Sequence, residues 1–338
     1  MQRSQIMNYK VLSLFSGCGG LDLGFQGGFR FLNKVFSENI FQIVWANDIN
    51  HNACHTYRRY FNHPIICGDI REILVNNRKG LPNNLIPLEV DVVLGGFPCQ
   101  DFSHSGKRKG FNSKRGTLYQ AMSDIILRTK PKFFLAENVK GLLTINNGKA
   151  IEQIVQDFEA IGYHVSYKLL LTANFGVPQK RERVIIIGTR KNLLPKFDFA
   201  KLSSQNTDWM PAQQAIEDLE NKHEGSVNNH FWSKAKKNKG QGNNAIAKEC
   251  PAPTMRAEHH GNIEFHWNKK RRLSAREAAR IQSFPDDFVF YPSTSSAYRQ
   301  IGNAVPPVFA WHLAKEIGIF INQNLKKERD CEQQVIGV

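Results

Sequence analysis

The sequence lacks the features that mark several large classes of protein. Its six cysteines are scattered, with no CxxC pair and no histidine at zinc-ligand spacing from one, so we expect free thiols and no structural metal. No apolar run approaches the roughly 20 residues that span a bilayer, and the polar residues 1–10 hold no apolar signal core. These absences favour a globular protein that stays in the cytoplasm.

Acidic residues are scarce relative to basic ones. Lys and Arg number 45 against 30 Asp and Glu, which gives a formal net charge of +15 and a pI of about 9.6. Such an excess is typical of proteins that bind nucleic acid, an anionic membrane surface or a bulky acidic substrate. The 338 residues are enough for one large domain and a smaller one.

A short apolar strand followed by glycines and a cysteine is the most informative stretch. Residues 90–94 predict a buried strand, and Gly95 and Gly96 lead into Pro98 and Cys99. Open α/β sheets bind ligands at the carboxyl ends of their strands. A lone cysteine is more often a small buried hydrophobe than a nucleophile. The loop that follows is strongly basic, however, and a thiolate that works beside a polyanion needs such a loop.

The glycine-rich turn after the first predicted strand favours a cofactor site. Residues 10–15 predict a strand that runs into Ser16-Gly17-Cys18-Gly19-Gly20, with a helix N-terminus behind the turn. The dinucleotide fingerprint GxGxxG is not met, because Asp22 occupies its last position. This argues against a dinucleotide and leaves room for another adenosine-bearing cofactor.

Acidic residues end the next two predicted strands. Residues 42–47 form a second strand followed by Asp48, and residues 65–70 form a short third strand that contains Asp69. In doubly wound folds an acid after the second strand binds ribose hydroxyls, while a helix N-cap is the competing role for Asp48. Because Asp48 lies farther than usual from the glycine turn, we expect a loop insertion within residues 29–41.

A carboxylate and two arginines accompany later strands. Strand 132–136 delivers Glu137 to the sheet edge that holds Cys99, which favours a functional role over that of a solvated surface residue. If residues 179–188 form one strand, its two-residue period puts Arg181 and Arg183 on one face. Two arginines pointing the same way favour a phosphate or carbonyl site, and a solvated charged edge is the alternative.

The character of the chain changes near residue 190. Residues 228–272 contain ten Lys or Arg and three acidic residues, interleaved with aromatic residues and histidines. This mixture is what a nucleic-acid surface needs, although a solvated, loop-rich insertion is equally compatible with it. Farther on, Ser274 and Glu277 predict a capping box. Residues 308–321 predict an apolar helix, and the charged tail beyond Lys326 is expected to fray.

Six sequence motifs occur one after another along the chain. They are Phe15-Ser16-Gly17-Cys18-Gly19-Gly20, Pro98-Cys99-Gln100, Glu137-Asn138-Val139, Gln179-x-Arg181-x-Arg183, Arg272-Leu273-Ser274 through Pro285, and Gly302-Asn303-Ala304-Val305. Together they resemble, in the same order, the motifs of the DNA (cytosine-5) methyltransferases. The resemblance covers residues 11–190 and 272–321, and the stretch between them matches only by position.

The resemblance implies an α/β fold with two parts. One is a Rossmann-like S-adenosylmethionine-dependent methyltransferase domain, a mostly parallel sheet with helices on both faces. The other is a smaller, loop-rich target-recognition domain. The implied boundaries are residues 1–189 and 302–330 for the catalytic domain, 190–271 for the target-recognition domain, 272–301 for a connecting segment packed mostly with the small domain, and 331–338 for a tail.

The resemblance also implies the chemistry. In the family a cysteine thiolate adds to C6 of cytosine and makes C5 enamine-like, and Cys99 matches that nucleophile. Glu137 matches the acid that holds N4 and N3 and assists proton transfer to N3. Arg183 matches the arginine that contacts O2, and Arg181 is better placed for phosphate.

The implied cofactor is S-adenosylmethionine, with S-adenosylhomocysteine as product and no metal. Phe15 is expected to stack on the adenine, Asp48 to hold the ribose and Asp69 to hold the adenine amino group. The full set of implied cofactor residues is Phe15, Gly17, Gly19, Gly20, Asp48, Ile49, Asp69, Ile70, Pro98, Leu118, Asn303 and Val305.

The implied partner is double-stranded DNA with the target base flipped out, since the reacting atoms are unreachable within a duplex. The basic loop 100–117 is then a lid that closes over the nucleotide. The expected DNA-contacting residues are Gln100, Ser103, Lys107, Arg108, Lys109, Arg115 and Thr254. We further expect a monomer in the bacterial cytoplasm, associated with the nucleoid and not with a membrane. It would modify DNA in a restriction–modification system, beside a functionally paired endonuclease with which it forms no stable complex.

Three residues depart from the family pattern, and three other functions compete with the one that the resemblance implies. The family usually has an acid where this chain has Ser13, Glu where it has Asp48, and often an aromatic residue at Ile49; these departures affect cofactor binding only. A zinc deaminase is excluded, because Phe102 stands where its second cysteine should be. An RNA methyltransferase of the same fold, or a DNA-binding relative that has lost catalysis, stays as an alternative.

Overall fold

The computed structural model describes residues 8–78, 86–98, 118–202, 208–237, 242–257 and 263–336. The strands are β1 (Tyr9–Leu14), β2 (Phe29–Phe31), β3 (Lys34–Phe36), β4 (Phe41–Asp48), β5 (Ile65–Cys67), β6 (Val92–Gly95), β7 (Phe133–Val139), β8 (Tyr163–Leu171), β9 (Gln179–Lys180), β10 (Glu182–Arg190) and β11 (Ala252–Pro253). The α-helices are α1 (Gly20–Gln26), α2 (His51–Tyr60), α3 (Ile70–Arg78), α4 (Leu118–Thr129), α5 (Lys149–Ala160), α6 (Ala212–Ile216), α7 (Ala275–Ile281), α8 (Thr294–Asn303) and α9 (Pro307–Ile336).

Seven of the described strands form one sheet, in the order β5-β4-β1-β6-β7-β10-β8. Strands β5, β4, β1, β6 and β7 pair in parallel, while β10 is antiparallel to both β7 and β8. The register aligns Gly95 with Leu14 on one side and with Ala136 on the other. The residues that follow β1, β6 and β7 therefore meet at one edge, as the doubly wound fold predicts.

Alternate residues of the central strands enter two hydrophobic cores, one on each face of the sheet. In β6, Val92 and Leu94 belong to one core and Val93 to the other, which is the two-residue period of a strand buried on both sides. Helices α1, α2, α7 and α9 supply the first core, and α3, α4 and α5 supply the second. The predicted Rossmann-like α/β fold is confirmed.

The C-terminal helix α9 closes the first core against α1. Their backbones come close at Gly24, where an added Cβ would lie 2.3 Å from Ala310 Cβ and 2.5 Å from the Pro307 carbonyl oxygen. By length and composition the stretch Thr294–Lys326 could cross a membrane, but 67% of its most apolar window is buried inside the protein. Packing inside the protein therefore accounts for the apolar residues of this stretch.

One predicted insertion is present, and two predicted element boundaries are wrong. The insertion expected within residues 29–41 is the β2–β3 hairpin. The strand expected over 179–188 is interrupted between β9 and β10, which pair with different partners. Helix α9 continues to Ile336 instead of ending near residue 321 and fraying beyond Lys326. Residues 322–336 contain no Gly or Pro and are rich in helix-forming Lys, Glu and Gln.

Described residues between 190 and 271 form short elements connected by loops. They include α6 and β11, and β11 pairs in parallel with β9. The predicted capping box at the start of α7 is confirmed, with the Ser274 side chain and Glu277 bonded reciprocally to each other's backbone. The Ser274 hydroxyl also contacts His230 Nδ1 at 3.0 Å, which packs α7 against this segment. The domain boundaries themselves stay a prediction.

Candidate active site

A cavity of about 390 Å³ opens at the carboxyl ends of the parallel strands. Its lining combines the turns after β1, β4, β5, β6 and β7 with one face of α8. Most residues predicted to bind the cofactor lie around it, namely Phe15, Gly17, Asp48, Ile49, Asp69, Ile70, Pro98, Leu118, Asn303 and Val305. Glu137, Arg181 and Arg183 also line the cavity, so the structure brings together residues from five of the six motifs.

Gly19 and Gly20 do not line the cavity, contrary to the prediction. A Cβ added at Gly19, whose φ is 97°, would lie 2.3 Å from the Phe61 ring. One added at Gly20 would lie 2.3 Å from the carbonyl oxygen of Val305. These glycines allow α1 to approach α2 and the end of α8, so their role is packing. Of the three glycines in the turn, Gly17 is the one that lines the cavity.

Asp48 fastens the glycine turn to the end of β4. Its Oδ2 accepts a hydrogen bond from the Gly17 backbone N–H at 2.8 Å, and its Oδ1 accepts one from Asn50 N–H at 2.7 Å. Burial raises the pKa of Asp48, and the backbone donors partly offset that rise. The competing role as helix N-cap belongs to Asn50, whose side chain accepts from Ala53 N–H at 3.0 Å. Asp48 therefore shapes the cavity wall.

Asp69 and Ile49 both line the cavity. Hydrogen bonds from Arg71 lower the pKa of the Asp69 carboxyl, so that it is ionised near neutral pH and can accept a donor from a ligand. Ile49 is 64% exposed. It presents an apolar surface to the cavity at the position where the family often has an aromatic residue.

Glu137 and Arg183 form a partly enclosed ion pair in the lining of the cavity. Glu137 Oε1 lies 2.6 Å from Arg183 Nε, and the two side chains are 12% and 11% exposed. Gly96 leaves space in front of the carboxylate, since a Cβ there would lie 3.2 Å from Glu137 Oε2. Asn138 Nδ2 donates to the Phe97 carbonyl at 2.9 Å and holds the Pro98 loop against β7. The Glu137 carboxylate, the Arg183 guanidinium and the Pro98 loop therefore lie together in the wall of the cavity.

Arg181 is occupied within the protein and does not reach out to a phosphate. Its side chain is 1% exposed. Its Nη1 donates to the Met255 carbonyl at 2.9 Å and its Nη2 to the Gly302 carbonyl at 2.8 Å. The two-residue alternation predicted for this segment is present, because the side chains of Gln179, Arg181 and Arg183 are all buried. In place of the expected contact with a phosphate, Arg181 links its own segment to the backbone at Met255 and at Gly302.

Asp22 belongs to a buried network that the sequence reading missed. Its carboxylate accepts hydrogen bonds from Ser13 Oγ at 2.6 Å and Tyr57 Oη at 2.5 Å, and Tyr57 Oη also contacts His63 Nε2 at 2.6 Å. Burial raises the pKa of Asp22 to about 6. Ser13 occupies the position where the family usually has an acid, so Asp22 supplies the carboxylate beneath the turn. The sequence did contain a signal for this buried carboxylate, namely an Asp between two apolar residues at the start of a helix.

Several predicted site residues belong to parts of the chain outside the described ranges, and the others have identified contacts or states. Cys99 and the DNA-contacting residues Gln100, Ser103, Lys107, Arg108, Lys109 and Arg115 lie outside the described residues. Thr254 is described, and its hydroxyl donates to the Lys180 carbonyl at 2.8 Å, which joins β11 to β9. Among the described cysteines, Cys18, Cys54, Cys67 and Cys250 are free thiols. Within the described ranges, no group of three or more His, Cys, Asp or Glu is arranged to hold a metal ion.

Comparison with known sequences identifies relatives over almost the whole chain. The family described as C-5 cytosine-specific DNA methylase matches residues 9–319. The chain is 39% identical to the Type II methyltransferase M.NgoFVII of Neisseria gonorrhoeae, over 94% of this chain and 88% of that protein. It is 35% identical to M.FnuDI of Fusobacterium nucleatum, over 97% of this chain and 99% of that protein.

Solved structures share the fold at much lower sequence identity. The crystal structure of Dnmt2 methyltransferase from S. pombe matches 94% of this chain and 99% of that one, with a TM-score of 0.67 and 17% identity. A DNMT2 mutant from Spodoptera frugiperda covers 92% of this chain and 99% of its own, with a TM-score of 0.62 and 19% identity. At these identities the likeness concerns the arrangement of strands and helices.

We expect Asp22 to make stability depend on pH. Because its folded pKa is raised to about 6, its contribution to stability is greatest below the unfolded pKa of about 4 and is lost as pH rises through 6. The free energy of unfolding of the wild type minus that of Asp22→Asn should therefore fall between about pH 4 and 6 and level off above about 7. Urea denaturation across this range measures the difference.

Asp124→Asn serves as the matched control. Asp124 forms an exposed ion pair with Arg78, in which the two side chains are 49% and 60% exposed. The corresponding difference for this variant should show no fall over the same pH range. A difference for Asp22→Asn that stayed level from pH 4 to 7 would contradict the buried network as described.

Proposed function

Because the chain belongs to the C-5 cytosine-specific DNA methylase family, we propose that it transfers a methyl group from S-adenosylmethionine to C5 of a flipped cytosine in a specific double-stranded DNA sequence. The family assignment makes it a DNA cytosine-5-methyltransferase of the kind found in type II restriction–modification systems. The observation that carries the finer proposal is the Glu137–Arg183 pair, which shares a cavity with the predicted cofactor residues.

The proposed reaction begins with covalent addition by Cys99. C5 of cytosine is a poor nucleophile, and attack of the Cys99 thiolate on C6 forms an S–C6 bond while the C5=C6 electron pair becomes available at C5. Glu137 holds N4 and N3 and assists protonation of N3, which offsets the developing charge. Arg183 contacts O2. After methylation the C5 proton leaves to a base, the S–C6 bond breaks and the thiolate is restored.

The cavity suits S-adenosylmethionine in size and in polarity. Asp48 and Asp69 offer carboxylate acceptors for ribose hydroxyls and for an amino group, and Phe15, Ile49 and Val305 offer apolar surface. When bound, this cofactor supplies a methyl group on a sulfonium sulfur. The chain's own part is to hold the cofactor on the glycine turn at Gly17, beside the wall that carries Glu137 and Arg183.

DNA recognition is assigned to two regions by their position and charge. Residues 100–117 are proposed to close over the flipped nucleotide, and residues 190–271 to read the sequence in a groove of the duplex. Thr254, whose hydroxyl joins β11 to β9, is proposed to take part in DNA recognition. We further propose a monomer in the bacterial cytoplasm, associated with the nucleoid, whose product protects DNA from a separate restriction endonuclease.

The competing functions make different predictions. An RNA methyltransferase of the same fold would modify a structured RNA in preference to duplex DNA. A relative that had lost catalysis would bind DNA without modifying it. The large basic segment 190–271 favours duplex DNA, and the presence of Cys99, Glu137 and Arg183 together favours an active enzyme.

The covalent step is tested with a mechanism-based substrate. We expect the wild type, supplied with S-adenosylmethionine, to form a denaturation-resistant complex with duplex DNA whose target cytosine is replaced by 5-fluorocytosine, because fluorine cannot leave as the C5 proton does. Cys99→Ser should form no such complex and should retain duplex affinity within about threefold. Covalent trapping of Cys99→Ser at the wild-type level would refute the mechanism.

The acid is tested by a pair of glutamate variants. Glu137→Gln should lower the rate of methyl transfer by about 100-fold or more, in line with the contribution of a positioned acid–base group. Glu182→Gln is the matched control on the adjoining strand, since Glu182 pairs with Lys140 at the surface, where the side chains are 42% and 58% exposed. It should retain activity within about twofold. Equal effects of the two substitutions would count against the assignment of Glu137.

The recognition segment is tested by exchange. A chimera that carries residues 190–271 of a relative with another target sequence should methylate that relative's target. Bisulfite sequencing of DNA from cells that express the chimera reads the modified cytosines directly. An unchanged target sequence in an active chimera would overturn the assignment of residues 190–271.

A further inference from the structure

The cavity contains an arginine whose charge no described residue neutralises. Within the described residues, four arginines line it. Arg71 pairs with Asp69, Arg183 pairs with Glu137, and Arg181 donates to two backbone carbonyls. Arg299 has neither an ion pair nor a hydrogen bond from its side chain to any residue in the described ranges, and it is exposed at the rim.

The backbone that carries Arg299 is firmly held beside the glycine turn. Gln300 Nε2 donates to the Tyr291 carbonyl at 2.5 Å and to Ser296 Oγ at 2.9 Å, and the Cys18 thiol lies 3.9 Å from the Gln300 carbonyl. At the end of the same helix, the Gly302 carbonyl accepts from Arg181. Arg299 therefore projects from a firmly held helix that forms part of the cavity lining.

The carboxylates that line the cavity make the regions around them unfavourable for a ligand carboxylate. Asp48, Asp69 and Glu137 line it, and each of them repels an anion. S-adenosylmethionine and its product both end in an amino acid that carries an α-carboxylate. Of the arginines described above, Arg299 is the one left to bind such a group, and a guanidinium pairs with a carboxylate in a planar, charge-assisted geometry.

We propose that Arg299 binds the α-carboxylate of the cofactor's amino-acid end and so fixes that end against the glycine turn. This inference rests on the proposed function, namely that the cavity binds S-adenosylmethionine. It assigns to α8 a role in recognising the cofactor through a charged side chain, in addition to the predicted contacts of Asn303 and Val305.

The experiment measures binding of two ligands that differ in the carboxylate. Calorimetry gives dissociation constants for S-adenosylhomocysteine and for S-adenosyl-3-thiopropylamine, which keeps the amine and lacks the carboxylate. We expect Arg299→Gln to raise the dissociation constant of S-adenosylhomocysteine by about tenfold or more. The dissociation constant of the decarboxylated ligand should stay within about twofold of the wild-type value. Arg299→Lys should restore part of the loss. Arg30→Gln, an exposed arginine of β2 outside the cavity, is the matched control and should change neither ligand.

Each other outcome overturns the inference. Unchanged affinity for S-adenosylhomocysteine would show that Arg299 does not bind the carboxylate, and equal loss of both ligands would indicate damage to the cavity. Weakened duplex binding with normal S-adenosylhomocysteine affinity would reassign Arg299 to a DNA phosphate. If the wild type binds neither ligand, the proposed function fails first, which separates that failure from a failure of this inference alone.

Discussion

The buried guanidinium of Arg181 is the contact on which the arrangement of the site depends. It lies between β9 and β10 and donates to carbonyls of two other segments, at Met255 and at Gly302. Burial lowers the pKa of this arginine, which reflects the cost of removing its charge from water. The hydrogen bonds offset that cost only while all three segments are in place. A single side chain therefore fixes the strand before Arg183, the segment that bears Thr254, and α8.

Local environment gives the carboxylates of the site different roles. Asp22 is fully buried among neutral donors and holds the turn from below. Asp48 accepts hydrogen bonds from backbone N–H groups and shapes the cavity wall, while Asp69 is paired with Arg71. Glu137 is paired with a guanidinium in the lining of the cavity. The same chemical group is thus a buried support, a part of the cavity wall or a member of an ion pair, according to its neighbours.

Much of the fold could be predicted from the sequence because the signals are local. The β-branched run before Gly95, the alternating burial of Gln179, Arg181 and Arg183, and the capping box at Ser274 each depend on residues a few positions apart. The glycine turn predicted a ligand site, and Gly17 does line the cavity. What failed depends on distant residues. The packing roles of Gly19 and Gly20 are set by Phe61 and Val305, and the role of Arg181 is set by Met255 and Gly302. No local pattern contains those partners.

The short parallel ladder between β9 and β11 has a mechanical consequence. Ala252 and Pro253 are in register with Gln179 and Lys180, and the Met255 N–H donates to Gln179 Oε1 at 2.8 Å. Arg183 follows Lys180 by three positions on the next strand. A displacement of residues 252–255 would therefore be transmitted through hydrogen bonds to β9 and from there to the start of β10. This short ladder couples the position of residues 252–255 to that of the guanidinium that pairs with Glu137.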